Sequence, residues 1–161
     1  MGDHIETIQI DYDPMRISYH ELLEIFWKDH NPTHRPWSRQ YMSVIFYHNQ
    51  EQKNLANKTR DRESARLVSK IYTEIVPAEK FYLAEDYHQK YRLRHERDIM
   101  REFNAMYPSF NDLVNSTAAA RVNGYLSGHG SLLTLKKDLE KMSLSQESGQ
   151  KIMGFVKAYN N

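Results

Sequence analysis

Not one of the 161 residues is cysteine, and that absence removes whole categories of structure. No disulfide can staple a small scaffold, no thiolate can close a zinc site, and no side-chain thiol can act as nucleophile or redox centre. Burial of apolar side chains must therefore hold the fold together. The chain has the means, since 40% of it is hydrophobic and it carries 11 Tyr, 6 Phe and 2 Trp, too many aromatics for a disordered chain. Its length suits one domain, or one domain with an appendage.

Charge narrows the partners. Lys and Arg total 22 against 21 Asp and Glu, a formal net charge of +1. Neither nucleic acid nor an anionic membrane is expected as partner, because each calls for a basic surplus or patch. No apolar run approaches the roughly 18 residues of a spanning helix, and Met1-Gly2-Asp3-His4 does not open a signal peptide. The expectation is a soluble, cytoplasmic protein.

The hydrophobic pattern predicts an α+β chain. Ile8, Ile10 and Tyr12 alternate with Thr7, Gln9 and Asp11, as in a half-buried strand. Glu6 shares the parity of the apolar set and is expected to point inward. Ser18 and Glu21 form a capping box before the stripe Tyr19, Leu22, Leu23, Phe26, Trp27, and Asn31-Pro32 ends that helix. Met42 to Tyr47 is apolar on nearly both faces, as in a central strand. Asn49 with Gln52 caps a long polar helix reaching about Leu67, expected on the surface. Ile71 to Val76 reads as a third strand. Beyond Tyr82 the sequence becomes helical: Ala84–Met106 as one run, Ser109–Leu126 as another ended by Gly128 and Gly130, then stripes at Leu132, Leu135, Leu139, Met142 and at Ile152, Phe155, Val156, Tyr159. The order β-α-β-α-β followed by helices predicts a two-layer sandwich with a small mixed sheet and a helical extension.

Several constellations bear on chemistry. A carboxyl at Glu6, facing inward, would be desolvated and suited to donate a proton; the competing reading is a frayed end with His4 and Glu6 in water. Tyr41, at the mouth of the central strand, is placed to donate its hydroxyl to a substrate oxygen or to cap a core edge. Trp37 is either a substrate wall or a loop anchor. Glu85 and His88 have the i, i+3 spacing of some metal-binding helices, but no second such pair and no His-Glu-x-x-His occurs, so no metal is expected. Alternating signs from Arg92 to Arg101 describe a salt-bridged helix face.

Taken together the segments resemble one family. Gly2-Asp3-His4-Ile5-Glu6, Ile10-Asp11-Tyr12-Asp13-Pro14, Ile17-Ser18-Tyr19 with Leu22-Leu23, Phe26-Trp27 with His30, Arg39-Gln40-Tyr41-Met42-Ser43, Tyr47-His48 with Glu51-Gln52, Thr73-Glu74-Ile75 and Phe81 to Tyr91 resemble, in order and spacing, the A-type peptide methionine sulfoxide reductases. The match covers residues 2 to about 92, and the remainder resembles the long helical tail of one branch. The resemblance implies a domain over 1–92 and a helical extension over 93–161. It implies reduction of the S epimer of methionine sulfoxide, in oxidised proteins or free, with thioredoxin or another thiol as external reductant and no cofactor. Position by position it assigns Glu6 as the acid and Tyr41 as an oxygen-binding tyrosine, with His4, Asp86 and His88 close to the site.

The departures are equally definite. The family's nucleophile lies in a Gly-Cys-Phe-Trp strand that this sequence does not contain. Its Gly-Tyr-x-Gly-Gly segment and resolving cysteines are also missing, and the loop before Tyr41 is short. The expectation is a family protein that, as given, lacks its nucleophile and is inactive, with a non-catalytic methionine sulfoxide-binding or protein-interaction module as the alternative.

Overall fold

The computed structural model describes residues 4–159, so Gly2 and Asp3 of the first motif lie outside the described residues. The chain divides into two compact units between Phe81 and Tyr82.

In the first unit, α1 spans Tyr19–Lys28. The Ser18 hydroxyl accepts the Glu21 amide at 3.2 Å while the Glu21 carboxylate accepts the Ser18 amide at 2.8 Å, so the capping box forms as expected. Two parallel strands, β1 (Val44–Tyr47) and β2 (Glu74–Pro77), pair in the register Val44↔Glu74 through Tyr47↔Pro77. Between them α2 (Gln50–Leu67) is capped by Asn49 on the Gln52 amide at 2.9 Å. Only Ala56, Thr59 and Glu63 of α2 are buried, one narrow stripe, and the rest lies at the surface as expected. Val68 leaves the helix in the left-handed region at φ 48°.

Leu23, Trp27, Ile45 and Ala56 form the core, with Tyr19, Phe26, Leu55, Ile71 and Ile75 against it. Two polar joints stiffen this layer. The Trp27 indole N–H donates to Thr59 Oγ1 at 2.9 Å, and that hydroxyl donates onward to the Ala56 carbonyl at 3.0 Å. His30 bridges the last turn of α1 to the approach of β2 through the Phe26 carbonyl at 2.7 Å and the Thr73 hydroxyl at 3.0 Å.

The first expected strand does not form. Residues 5–13 carry no strand or helix, and Ile8 and Ile10 are 80% and 53% exposed. Alternation suits a side chain pattern to a sheet, but a strand also needs a neighbour to take its amides and carbonyls. The sheet is accordingly two-stranded and wholly parallel, not mixed; the α+β class with a small sheet stands.

The second unit is helical: a single 3-10 turn at Asp86–His88, then α3 (Tyr91–His95), α4 (Arg97–Met106), α5 (Phe110–Asn115), α6 (Thr117–Leu126), α7 (Leu132–Leu139) and α8 (Gln146–Tyr159). Two expected continuous helices are broken. Lys90 sits at φ 51° and Glu96 at φ −95°, ψ 82°, so Ala84–Met106 is an extended lead, a turn and two helices. Ser116 splits Ser109–Leu126 because its hydroxyl takes the Ala119 amide at 3.1 Å and starts a new helix there, the usual competition of a serine with the helix ladder. Leu93, Ile99, Phe103, Leu113, Val122, Leu135, Ile152 and Val156 are among the side chains of one closed core. Glu102 of α4 accepts the Ser145 amide at 2.7 Å, the Ser145 hydroxyl at 2.7 Å and the Ser148 hydroxyl at 2.6 Å, tying α4 to the start of α8. Among the described residues no helix is long and apolar enough to cross a membrane.

Candidate functional site

The residues singled out by sequence fall in both units. In the first, Glu6 lies in the extended lead and is exposed, not inward. The inward orientation fails for the same reason as the strand: with nothing paired along residues 8–12, their parity selects no buried face. A different contact fixes it instead. The Glu6 amide donates to the Gln40 carbonyl at 3.0 Å, and the Gln40 side-chain amide donates to Glu6 Oε1 at 2.7 Å. This two-point clasp brings the lead against the turn that opens β1, placing the Glu6 carboxyl beside the neighbour of Tyr41.

Tyr41 is 49% exposed and lies stacked on Trp37, ring centroids 4.8 Å apart at 29°. Trp37 itself is 77% exposed, which excludes the loop-anchor reading. His4 is exposed. Asp86 and His88 belong to the second unit, in the exposed 3-10 turn, where His88 Nε2 is 3.8 Å from Glu85 Oε2 and its ring leans on Tyr87 at 4.2 Å. Among the described residues no cluster of three His, Asp or Glu side chains could hold a metal ion.

A cleft of about 700 Å³ does open in the first unit, lined by Glu24, Lys28, His30, Arg62, Glu63 and Arg66 among others. Its carboxylates are already committed: Arg62 Nη1 lies 2.6 Å from Glu24, and Arg66 Nη2 lies 2.7 Å from Glu63. The Arg62 hydrogen bond holds the Glu24 carboxyl below its ordinary value. None of the expected site residues lines this cleft.

Residues 1–120 match the family model described as peptide methionine sulfoxide reductase. The chain belongs to that family. It is 43% identical over 152 residues to a peptide methionine sulfoxide reductase of Drosophila melanogaster, a match covering 93% of this chain and 61% of that protein. It is 46% identical over 95 residues to the peptide methionine sulfoxide reductase MsrA of Methanosarcina acetivorans, covering 55% of this chain and 50% of that one. With peptide methionine sulfoxide reductase A2 of Arabidopsis thaliana it shares 41% identity over 97 residues, 57% of this chain and 44% of the relative. The chain thus spans about half to three fifths of the length of these relatives.

Within the family frame, the contribution of Gln40 is what the sequence did not announce. Its partner is 34 positions away, and no periodicity connects a glutamine in a turn to a carboxylate in an extended lead. The only signal was the adjacency of Gln40 to Tyr41 in the Arg39-Gln40-Tyr41 motif.

Proposed function

We propose that these 161 residues supply the acid and oxygen-binding side of a reductase acting on methionine S-sulfoxide in oxidised proteins, with Glu6 and Tyr41 as the groups that meet the sulfoxide oxygen. The observation that carries this reading is the Gln40 clasp, which draws Glu6 to the residue next to Tyr41.

The chemistry explains why both groups are needed and why they do not suffice. A thiolate sulfur bonds to the sulfoxide sulfur, the sulfur–oxygen bond breaks, and the oxygen ends on the attacking sulfur as a sulfenic acid while methionine departs. The oxygen gains negative charge as it is attacked, so a hydroxyl at Tyr41 and a proton from Glu6 each lower the barrier. Two electrons must come from thiols, for which thioredoxin is the reductant we propose. This sequence contains no cysteine, and neither serine nor tyrosine performs that step. His4, Asp86 and His88 are assigned to supporting or substrate-binding positions.

Purified as given, the chain should reduce no methionine sulfoxide with dithiothreitol or thioredoxin. Fusing a Gly-Cys-Phe-Trp strand in frame should produce turnover. In that enzyme Glu6→Gln should cost roughly a hundredfold or more, as loss of general acid catalysis does. Tyr41→Phe should cost about ten- to a thousandfold, as loss of one donor to a developing oxyanion does, and His88→Ala should cost less than either. Turnover by the cysteine-free chain, or a fused enzyme indifferent to Gln at position 6, would overturn the assignment.

A further inference from the structure

The loop that delivers Tyr41 has a composition unlike the rest of the chain. From Asn31 to Ser43 it holds no Asp or Glu but carries Arg35 and Arg39, and both guanidinium groups lack an ion-pair partner among the described residues. Between them stands Trp37. Two tryptophans occur in the sequence and the structure uses them in opposite ways: Trp27 is 4% exposed with its N–H satisfied, whereas Trp37 is 77% exposed. The Tyr41 stack covers one indole face and leaves the other to solvent. Large apolar surface left in water is costly, and an aromatic face flanked by unpaired cations is a common form of docking surface. The platform is also held in place, because Gln40 is clasped to Glu6 and the Met42 amide closes a turn on the Arg39 carbonyl at 3.3 Å.

We infer that the Trp37–Tyr41 stack, with Arg35 and Arg39, is a docking face for the residues flanking methionine sulfoxide in an acidic, extended peptide segment. The inference rests on the proposed role of Tyr41 at the sulfoxide oxygen: a side chain bound there leaves its own backbone and neighbours to run over Trp37. Charge complementarity selects the neighbours, since the loop that carries the indole holds two arginines and no Asp or Glu, and the nearby Glu6 carboxylate is engaged by Gln40. Free methionine sulfoxide has no neighbours to place on the platform, so Trp37 and the two arginines act as specificity-determining residues that favour peptide over free substrate.

The buried Trp27 is shielded from a neutral quencher, so acrylamide quenching of tryptophan emission in the intact chain reads Trp37. The probes are a heptapeptide with central methionine S-sulfoxide flanked by Asp, the same peptide with Lys for Asp, the same peptide with unoxidised Met, and free methionine sulfoxide. The Asp peptide should protect Trp37 and the Lys peptide and free sulfoxide should not. Trp37→Phe should lose the quenchable emission, and Tyr NMR shifts in that variant should show weaker binding. Arg35→Gln and Arg39→Gln should each weaken the Asp peptide by about two- to fivefold, the range of an exposed ion pair, and added salt should weaken it further. Equal protection by the Lys peptide, or no protection by any peptide, would overturn the docking face. Equal protection by the Met and sulfoxide peptides would instead overturn the sulfoxide reading on which it rests.

Discussion

The first unit folds around a handful of buried side chains and leaves long apolar groups in water, while the second closes a continuous core. Among the described residues Leu23, Trp27, Ile45 and Ala56 make up the buried apolar cluster of the first, and Ile8, Ile10, Met15 and Trp37 of the same unit stand exposed. In the second, six helices bury Ile99, Phe103, Leu135, Ile152 and their neighbours completely. The difference separates two tasks. Phe103 is fully buried in an apolar core, whereas Trp27 and His30 add directional hydrogen bonds to Thr59 and Thr73 to their packing. The groups proposed to meet substrate, Glu6 and Tyr41, lie where packing is thin and a clasp, not a core, fixes them.

The contrast breaks most visibly at Phe103. Phe103→Ala should cost about 3–5 kcal/mol, as removal of a fully enclosed aromatic does. Both tryptophans belong to the first unit, so their emission reports that unit alone, whereas far-ultraviolet ellipticity reports chiefly the helices of the second. The denaturation midpoint by ellipticity should fall and that by emission should hold. Coincident shifts would show the two units unfolding as one.

A smaller effect tests the directional bonds of the first unit. Thr59→Val leaves the Trp27 N–H buried without an acceptor and should cost about 1–3 kcal/mol, read by the emission midpoint. Thr59→Ser keeps the hydroxyl and should lose less. If Val is tolerated as well as Ser, packing alone holds Trp27 and the contrast between the units weakens.

The smallest effect is a pH dependence of the second unit. The Ser148 hydroxyl, aided by the hydroxyl and amide of Ser145, holds the Glu102 carboxyl below its ordinary value of 4.5 against the opposing influence of desolvation. A carboxyl whose folded value is depressed contributes stability that is complete above the unfolded value and fades as pH falls through the folded one. The midpoint by ellipticity should therefore fall on acidification below about 4.5. Glu102→Gln should flatten part of that decline, and an unchanged slope would remove Glu102 from the acid response.

What the sequence made legible was whatever is settled within a few residues. The Ser18–Glu21 box and the Asn49 cap are local hydrogen bonds, and both helices start where those side chains put them. The apolar run at Val44–Tyr47 became β1 because the core covers Ile45 and β2 lies beside it. Residues 8–12 carry an equally regular alternation and remain unpaired, since alternation describes a face and not the existence of a neighbour. The breaks at Glu96 and Ser116 hid inside good helix-forming sequence. The site was legible as a list of residue types through its family resemblance, but its clasp was not: Glu6 and Gln40 are joined only by the fold.

The last residue of β2 has a consequence for how this sheet can grow. Glu74 donates its amide to Ser43 and Ala78 donates to Tyr47, so by the alternation of a parallel ladder the amide positions of Ile75 and Pro77 face away from β1. Proline has no amide hydrogen there. The outer rim of β2 therefore offers one donor, at Ile75, and then a gap, a blunting that natural sheets use against unwanted strand addition. The outer rim of β1 has no such interruption: Ser43 and Tyr47 accept from β2, so by the same alternation Val44 and Phe46 face outward, and each carries its N–H. Extension of the sheet is thereby biased to one side, and misassembly through the other is penalised by a single ring.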